Sequence, residues 1–174
     1  VTSLREAIVD KGIPVLATSS TCTFTLRDEY PHLLEVDNTG LREHIELATR
    51  FLWRKLDSGQ TLPLGKLPLK VVYHTPCHME KMGWSIYTLE LLRLIPGLEL
   101  TVLDSRCCGI AGTYGFKREN YPTSQAIGAP LFRQIEESGA DIVVTDCETC
   151  KWQIEMSTSK RCEHPITLLA KALA

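Results

Sequence analysis

The stretch Gly139-Ala140-Asp141-Ile142-Val143-Val144-Thr145-Asp146-Cys147-Glu148-Thr149-Cys150 decides how this chain is folded. Ile142 to Thr145 is a short, β-branched, apolar run, which is the signature of a buried strand. It passes through a polar turn into a C-x-x-C, with Asp146 placed to cap a helix that begins there. A second copy of the signal lies near the start of the chain. Lys11-Gly12-Ile13-Pro14-Val15-Leu16-Ala17-Thr18-Ser19-Ser20-Thr21-Cys22 aligns with it without a gap. Cys22 then matches Cys150, Thr21 matches Thr149, and Ser19 stands where Cys147 would be. Phe24 and Leu26 fall over Trp152 and Ile154.

A self-similar stretch at this separation is the mark of a repeat. Residues 1–62 read as the C-terminal half of a first, degenerate cysteine-rich repeat plus a linker helix. Residues 63–174 read as a complete second cysteine-rich domain. The join from Ser58 to Pro68 is rich in Gly and Pro and reads as a linker. The chain does not begin with Met, and it reads as a piece of a longer protein.

Outward from the deciding stretch, the elements alternate. Leu69 to Tyr73 is a buried-strand run before the turn Thr75-Pro76, and Trp84 to Ile95 is a helix stopped by Pro96-Gly97. Leu98 to Leu103 is a second strand, followed by a glycine-rich loop from Arg106 to Gly115. Thr123 to Ser138 reads as a helix ended by Gly139, and Pro165 to Leu173 as the last helix. This order predicts an α/β fold: a small parallel sheet flanked by helices in Rossmann-like layers, built from a cysteine-rich repeat. Sheets of that kind bind ligands at the carboxyl ends of their strands. Cys77 follows the first strand, Cys107-Cys108 the second and Cys147-x-x-Cys150 the third. All five sulfurs are therefore expected on one sheet edge.

Those five, out of seven cysteines in all, exceed what a tetrahedral zinc site or a cubane cluster takes. Thiolate softness favours iron–sulfur, zinc or copper(I) over calcium and magnesium. A helix starting through the C-x-x-C sets two sulfurs near the positive end of its dipole. The adjacent pair needs an irregular loop, which Gly109 and Gly112 permit. Read from the residues alone, the set leaves open an iron–sulfur centre, a zinc-stabilised structural or docking domain, and a dithiol redox enzyme cycling Cys147 and Cys150.

Composition narrows the field. At 174 residues, 44% hydrophobic and 23% charged, the chain can bury a core. A net charge of −2 with no basic stripe argues against nucleic acid as a partner. No run of about eighteen apolar residues is present to span a bilayer. An odd cysteine count with a vicinal pair suits a reducing compartment better than a disulfide framework.

The phrases His74-Thr75-Pro76-Cys77-His78, Cys107-Cys108-Gly109-Ile110-Ala111-Gly112 and Asp146-Cys147-Glu148-Thr149-Cys150 resemble the cysteine-rich CCG domain of the heterodisulfide reductases. That domain also occurs in iron–sulfur subunits of glycolate and lactate oxidation systems. The resemblance implies that Cys77, Cys107, Cys108, Cys147 and Cys150 ligate an iron–sulfur cluster of a non-cubane [4Fe-4S] type, with zinc in its place after aerobic preparation. It implies electron transfer, from flavin dehydrogenase subunits that oxidise glycerol-3-phosphate in anaerobic respiration, towards the quinone menaquinone. It implies a ferredoxin-like segment upstream in the same polypeptide, and a peripheral place on the cytoplasmic face of the inner membrane. Ser19 departs from the family pattern, so no cluster is expected in the first repeat.

The remaining residues receive plainer readings. Cys22 and Cys162 are expected to be small buried hydrophobes. His74 and His78 read first as satisfied surface histidines and second as hydrogen-bonding groups near a centre, with His78 the first proton donor to test. His44 and His164 are expected to open helices. Trp53, Trp84 and Trp152 are expected in the core or an interface, and Trp152 to pack there rather than stack on a quinone. Ile45 to Leu56 is expected to be an amphipathic helix on the sheet.

Overall fold

The β-branched runs become strands in a computed structural model of the chain, which describes residues 2–173. Strands β1 (Val15–Ala17) and β2 (Ile45–Leu47) pair in parallel, Val15 opposite Ile45. Between them run α1 (Ser20–Phe24), a π-helical turn (Thr25–Glu29) and α2 (Tyr30–Leu33). Helix α3 (Ala48–Asp57) follows β2.

The second sheet has four parallel strands in the order β4-β3-β5-β6. They are β3 (Lys70–Tyr73), β4 (Glu99–Val102), β5 (Ile142–Val144) and β6 (Cys162–Glu163). Helices α4 (Cys77–Met82) and α5 (Ser85–Arg93) link β3 to β4, and α6 (Tyr121–Glu137) links β4 to β5. Helix α7 (Glu148–Ser157) links β5 to β6, and α8 (Pro165–Ala172) closes the chain after β6. The α/β class, with small parallel sheets flanked by helices, is as the sequence predicts.

Alternation along the central strands builds two cores. Val71 and Tyr73 of β3, with Ile142 and Val144 of β5, face Leu91 and Leu92 of α5 and Leu168 of α8. Leu52, Trp53 and Leu56 of α3 cover that core from outside. Val72 and Val143 face the other way, against Leu131 and Ile135 of α6 and Ile154 of α7. The fully buried side chains among these, such as Tyr73, Leu91, Leu131 and Leu168, each contribute roughly 1.5–3 kcal/mol through burial.

Several expectations need correction. Ile45–Leu47 is a buried strand and not the start of a helix, so His44 lies in a 3₁₀ turn before β2. Ile45-Glu46-Leu47 runs without a break into the helical pattern that follows. Strand β6 escaped notice because Cys162-Glu163 holds no β-branched run. Cys77 starts a helix of its own, and the residue that caps α7 with extended backbone is Cys147, one beyond Asp146. Asp146 is instead fully buried, accepting hydrogen bonds from Tyr73 Oη at 2.6 Å and Thr88 Oγ1 at 3.1 Å. His164 does open a helix, capping α8 through Nδ1 to the Ile166 amide.

Candidate metal centre

Parallel strands end on the same side of a sheet, so the turns after β3, β4 and β5 meet at one edge. A cavity of about 450 Å³ lies there, and Cys77, Cys107, Cys108, Cys147 and Cys150 all line it. Cys77 is the first residue of α4, Cys147 caps α7, and Cys150 lies in the first turn of α7. The sulfurs of Cys108 and Cys150 are 3.0 Å apart, and every cysteine in the chain is free.

The vicinal pair is held by its loop. Gly109 has φ +85°, and a Cβ there would lie 2.0 Å from the Ser124 carbonyl oxygen. Only glycine fits this approach. Ser124 Oγ donates to the Gly109 carbonyl at 2.9 Å, and Gln153 Nε2 donates to Ser124 Oγ at 2.9 Å. Both polar side chains are fully buried, so the loop is pinned to α6 and α7 together. Ala111 also adopts a left-handed backbone, φ +46°, at the cavity wall. Such a residue costs about 1–2 kcal/mol and persists because its surroundings hold it.

Protons are shared unevenly among the thiols. Hydrogen bonds from Cys108 and Cys77 hold the Cys107 thiol down at about 2, and the same sharing pushes Cys77 up and Cys108 up to about 12. Cys150 holds Cys147 down at about 5, helped by Thr149, and is itself pushed up by Cys108 and Cys147. Cys107 and Cys147 are therefore the sulfurs held furthest towards thiolate, Cys107 between the Cys77 and Cys108 thiols and Cys147 beside the Cys150 thiol. The Gly109 amide adds a hydrogen bond to Cys107 Sγ at 3.3 Å. Thiolate is the form that binds a soft metal.

The N-terminal segment forms one wall. Thr21 Oγ1 lies 3.6 Å from Cys147 Sγ and 3.1 Å from His78 Nδ1. Phe24 stacks on the His78 ring, with centroids 4.8 Å apart. The Ser20 amide donates to the Asp146 carbonyl at 2.9 Å, tying α1 to the turn that carries Cys147. Sequence reasoning did not single out Thr21. The alignment of the two repeats held the clue, since it set Thr21 opposite Thr149, which also approaches Cys147 Sγ, at 3.2 Å.

Other residues depart from expectation. His74 is buried rather than at the surface, and its Nε2 has no hydrogen-bond partner. Burial pushes its pKa down to about 4. Cys22 is exposed, because α1 turns Thr21 and not Cys22 towards the cavity. Trp152 is half exposed and meets only Phe116 among the aromatic rings, with centroids 6.1 Å apart. Cys162 is buried in the core as expected, and burial pushes its pKa up.

Comparison with known proteins follows the same outline. A family model described as a cysteine-rich domain, CCG, matches residues 71–155. Over all 174 residues the chain is 86% identical to the C subunit of anaerobic glycerol-3-phosphate dehydrogenase from Escherichia coli K12, and it spans 44% of that relative. It is 32% identical over 146 residues to lactate utilization protein A of Bacillus licheniformis, covering 76% of this chain and 58% of the relative. Over 96 residues it is 33% identical to an uncharacterized iron–sulfur protein of Methanocaldococcus jannaschii, covering 54% of this chain and 19% of that one. The chain thus spans less than two thirds of the length of these curated relatives.

Proposed function

On the premise that residues 71–155 belong to the cysteine-rich CCG family, we propose that the chain holds an iron–sulfur centre on Cys77, Cys107, Cys108, Cys147 and Cys150 and passes electrons within a dehydrogenase complex. The observation that carries this reading is the single cavity lined by all five sulfurs. The donor set fits the group: five soft ligands, two of them held towards thiolate beside thiols that lose protons on metal binding. When bound, the centre supplies one-electron redox chemistry at a potential set by its surroundings. The protein's part is to hold ligands and exclude water. The loop pinned by Ser124 and Gln153 fixes the vicinal pair, the N-terminus of α7 orients the C-x-x-C, and Thr21 closes the wall.

Finer features extend the reading. We infer a non-cubane [4Fe-4S] type, since the five sulfurs exceed the four of a cubane cluster. We infer flavin-carrying subunits of such a complex as the donor and menaquinone as the acceptor, a reading in line with a relative named for a glycerol-3-phosphate dehydrogenase. The chain spans 44% of that relative, and we take a ferredoxin-like segment elsewhere in the same polypeptide as part of the proposal. Among the described residues no helix is long and apolar enough to cross a membrane, which accords with peripheral attachment at the cytoplasmic face of the inner membrane. The elements β1-α1-β2-α3 run in the order of β5-α7-β6-α8, and the N-cap residue Ser19 falls opposite Cys147. That recurrence supports residues 1–62 as half of a degenerate repeat beside the complete domain at 63–174.

Anaerobic reconstitution tests the proposal. Iron and sulfide uptake with an EPR signal is expected, and Cys108→Ser should remove both. Stoichiometric zinc without iron uptake would instead favour a structural zinc domain. Insulin-reductase activity that survives Cys77→Ala would favour a dithiol enzyme.

A further inference from the structure

The sequence places His74 directly before the turn that delivers Cys77, and β3 carries it to the sheet edge. Its amide donates to the Val144 carbonyl at 2.9 Å, so the backbone is fixed within the sheet. The side chain is 2% exposed, and Nε2 meets no partner. A buried polar nitrogen left unpaired is costly, so such a group calls for a partner. Two sulfurs lie close to the ring. An imidazole nitrogen of His74, Cys108 Sγ and Cys150 Sγ all lie within 4.8 Å of one another, and all three residues are buried.

In the structure the Cys108 and Cys150 sulfurs lie within hydrogen-bonding distance of each other, 3.0 Å apart. Metal binding strips thiols of their protons and turns each sulfur into an acceptor. Five thiolates already supply the ligands, so His74 is not required as a sixth. Resting on the iron–sulfur reading above, we propose that His74 is a positioning residue that donates its unpartnered N–H to the sulfur of Cys108 or Cys150 and thereby sets the potential of the centre. Hydrogen bonds to cluster sulfurs stabilise the more negative, reduced state and raise the reduction potential. Cys147 has other partners: the Cys150 thiol and amide and the Thr149 and Thr21 hydroxyls. His74 therefore acts on the inner, buried end of the site.

The test uses the whole chain loaded anaerobically with iron and sulfide. His74→Phe, which keeps the ring shape and removes the donor, should retain wild-type iron and sulfide content while its midpoint potential, followed by EPR, moves to a more negative value. His74→Gln, which restores an N–H, should recover part of the shift. A His74→Phe protein with full iron and an unshifted potential overturns the proposal. Should neither variant fold, pulsed EPR on ¹⁵N-histidine-labelled protein in a His78→Ala background decides the matter. A weak nitrogen coupling supports the hydrogen bond; none, or one as strong as a directly bound ligand, overturns it. A wild-type chain that takes up no iron and sulfide sinks the iron–sulfur reading itself, and is told apart by that result.

Discussion

The turn after β1 and the turn after β5 are two versions of one device with opposite uses. In both, a parallel strand ends, an extended residue caps a helix, and the helix begins one residue later. After β5 the cap is Cys147 and the first turn carries Cys150 into the cavity. After β1 the cap is Ser19, Cys22 faces solvent, and the residue turned to the cavity is Thr21. On the proposed reading one turn supplies ligands, while the other supplies a wall and a hydrogen bond. A strand-to-helix turn can thus lose its ligand role and keep its place, because its contacts with its neighbour are made by the backbone and by Thr21 rather than by sulfur.

Exchanging the two turns gives the largest expected effect. Cys147→Ser should abolish iron binding, measured as iron and sulfide per chain, while Ser19→Cys should leave the wild-type iron content unchanged. Iron gained by Ser19→Cys would break the comparison. Next is the loop that only the second site possesses. Gly109→Ala sets a methyl 2.0 Å from the Ser124 carbonyl and should destabilise the fold by roughly 3 kcal/mol, read from the urea midpoint.

Tyr73→Phe should cost about 1–3 kcal/mol in the same denaturation experiment, because it leaves the buried Asp146 carboxyl with one hydrogen-bond donor fewer. Thr21→Val should weaken the wall by about 1 kcal/mol of hydrogen bonding to Cys147 and move the midpoint potential slightly, with Thr21→Ser restoring it. An unmoved potential would show that the wall contributes shape alone. In metal-stripped protein, iodoacetamide should modify the exposed Cys22 and Cys107 well before Cys162, whose burial both shields it and raises its pKa. Mass spectrometry of the peptides reads that order.

Most of this architecture was legible where a local signal was strong. The β-branched runs at Lys70–Tyr73 and Ile142–Val144 announced central strands, and their succession put the cysteines on one edge. Strands β2 and β6 were not legible: Ile45-Glu46-Leu47 runs without a break into the helical pattern of α3, and Cys162-Glu163 holds no β-branched run. The surroundings of His74, Thr21 and Trp152 were hidden for another reason. A residue beside a cysteine motif can face solvent or the sheet, and only the packing of distant elements decides which. Cys22 illustrates this: the aligned repeats set it opposite Cys150, yet α1 lies against the second site and not its own, so the matched position points outward.

The bond from the Ser20 amide to the Asp146 carbonyl, with Thr21 against Cys147, has a consequence for timing. These partners lie 126 residues apart, and closing so long a loop is entropically costly and slow compared with forming any of the helices involved. On a ribosome, Cys77, Cys107 and Cys108 emerge while Cys147 and Cys150 are still unsynthesised. A nascent chain therefore exposes three of the five pocket thiols, with Cys22 besides, before it owns a complete pocket. On the proposed reading, loading of the centre belongs to the end of folding, after Ser20 and Thr21 have met the turn at Asp146 and Cys147, and oxygen or a stray metal has that whole interval in which to compete.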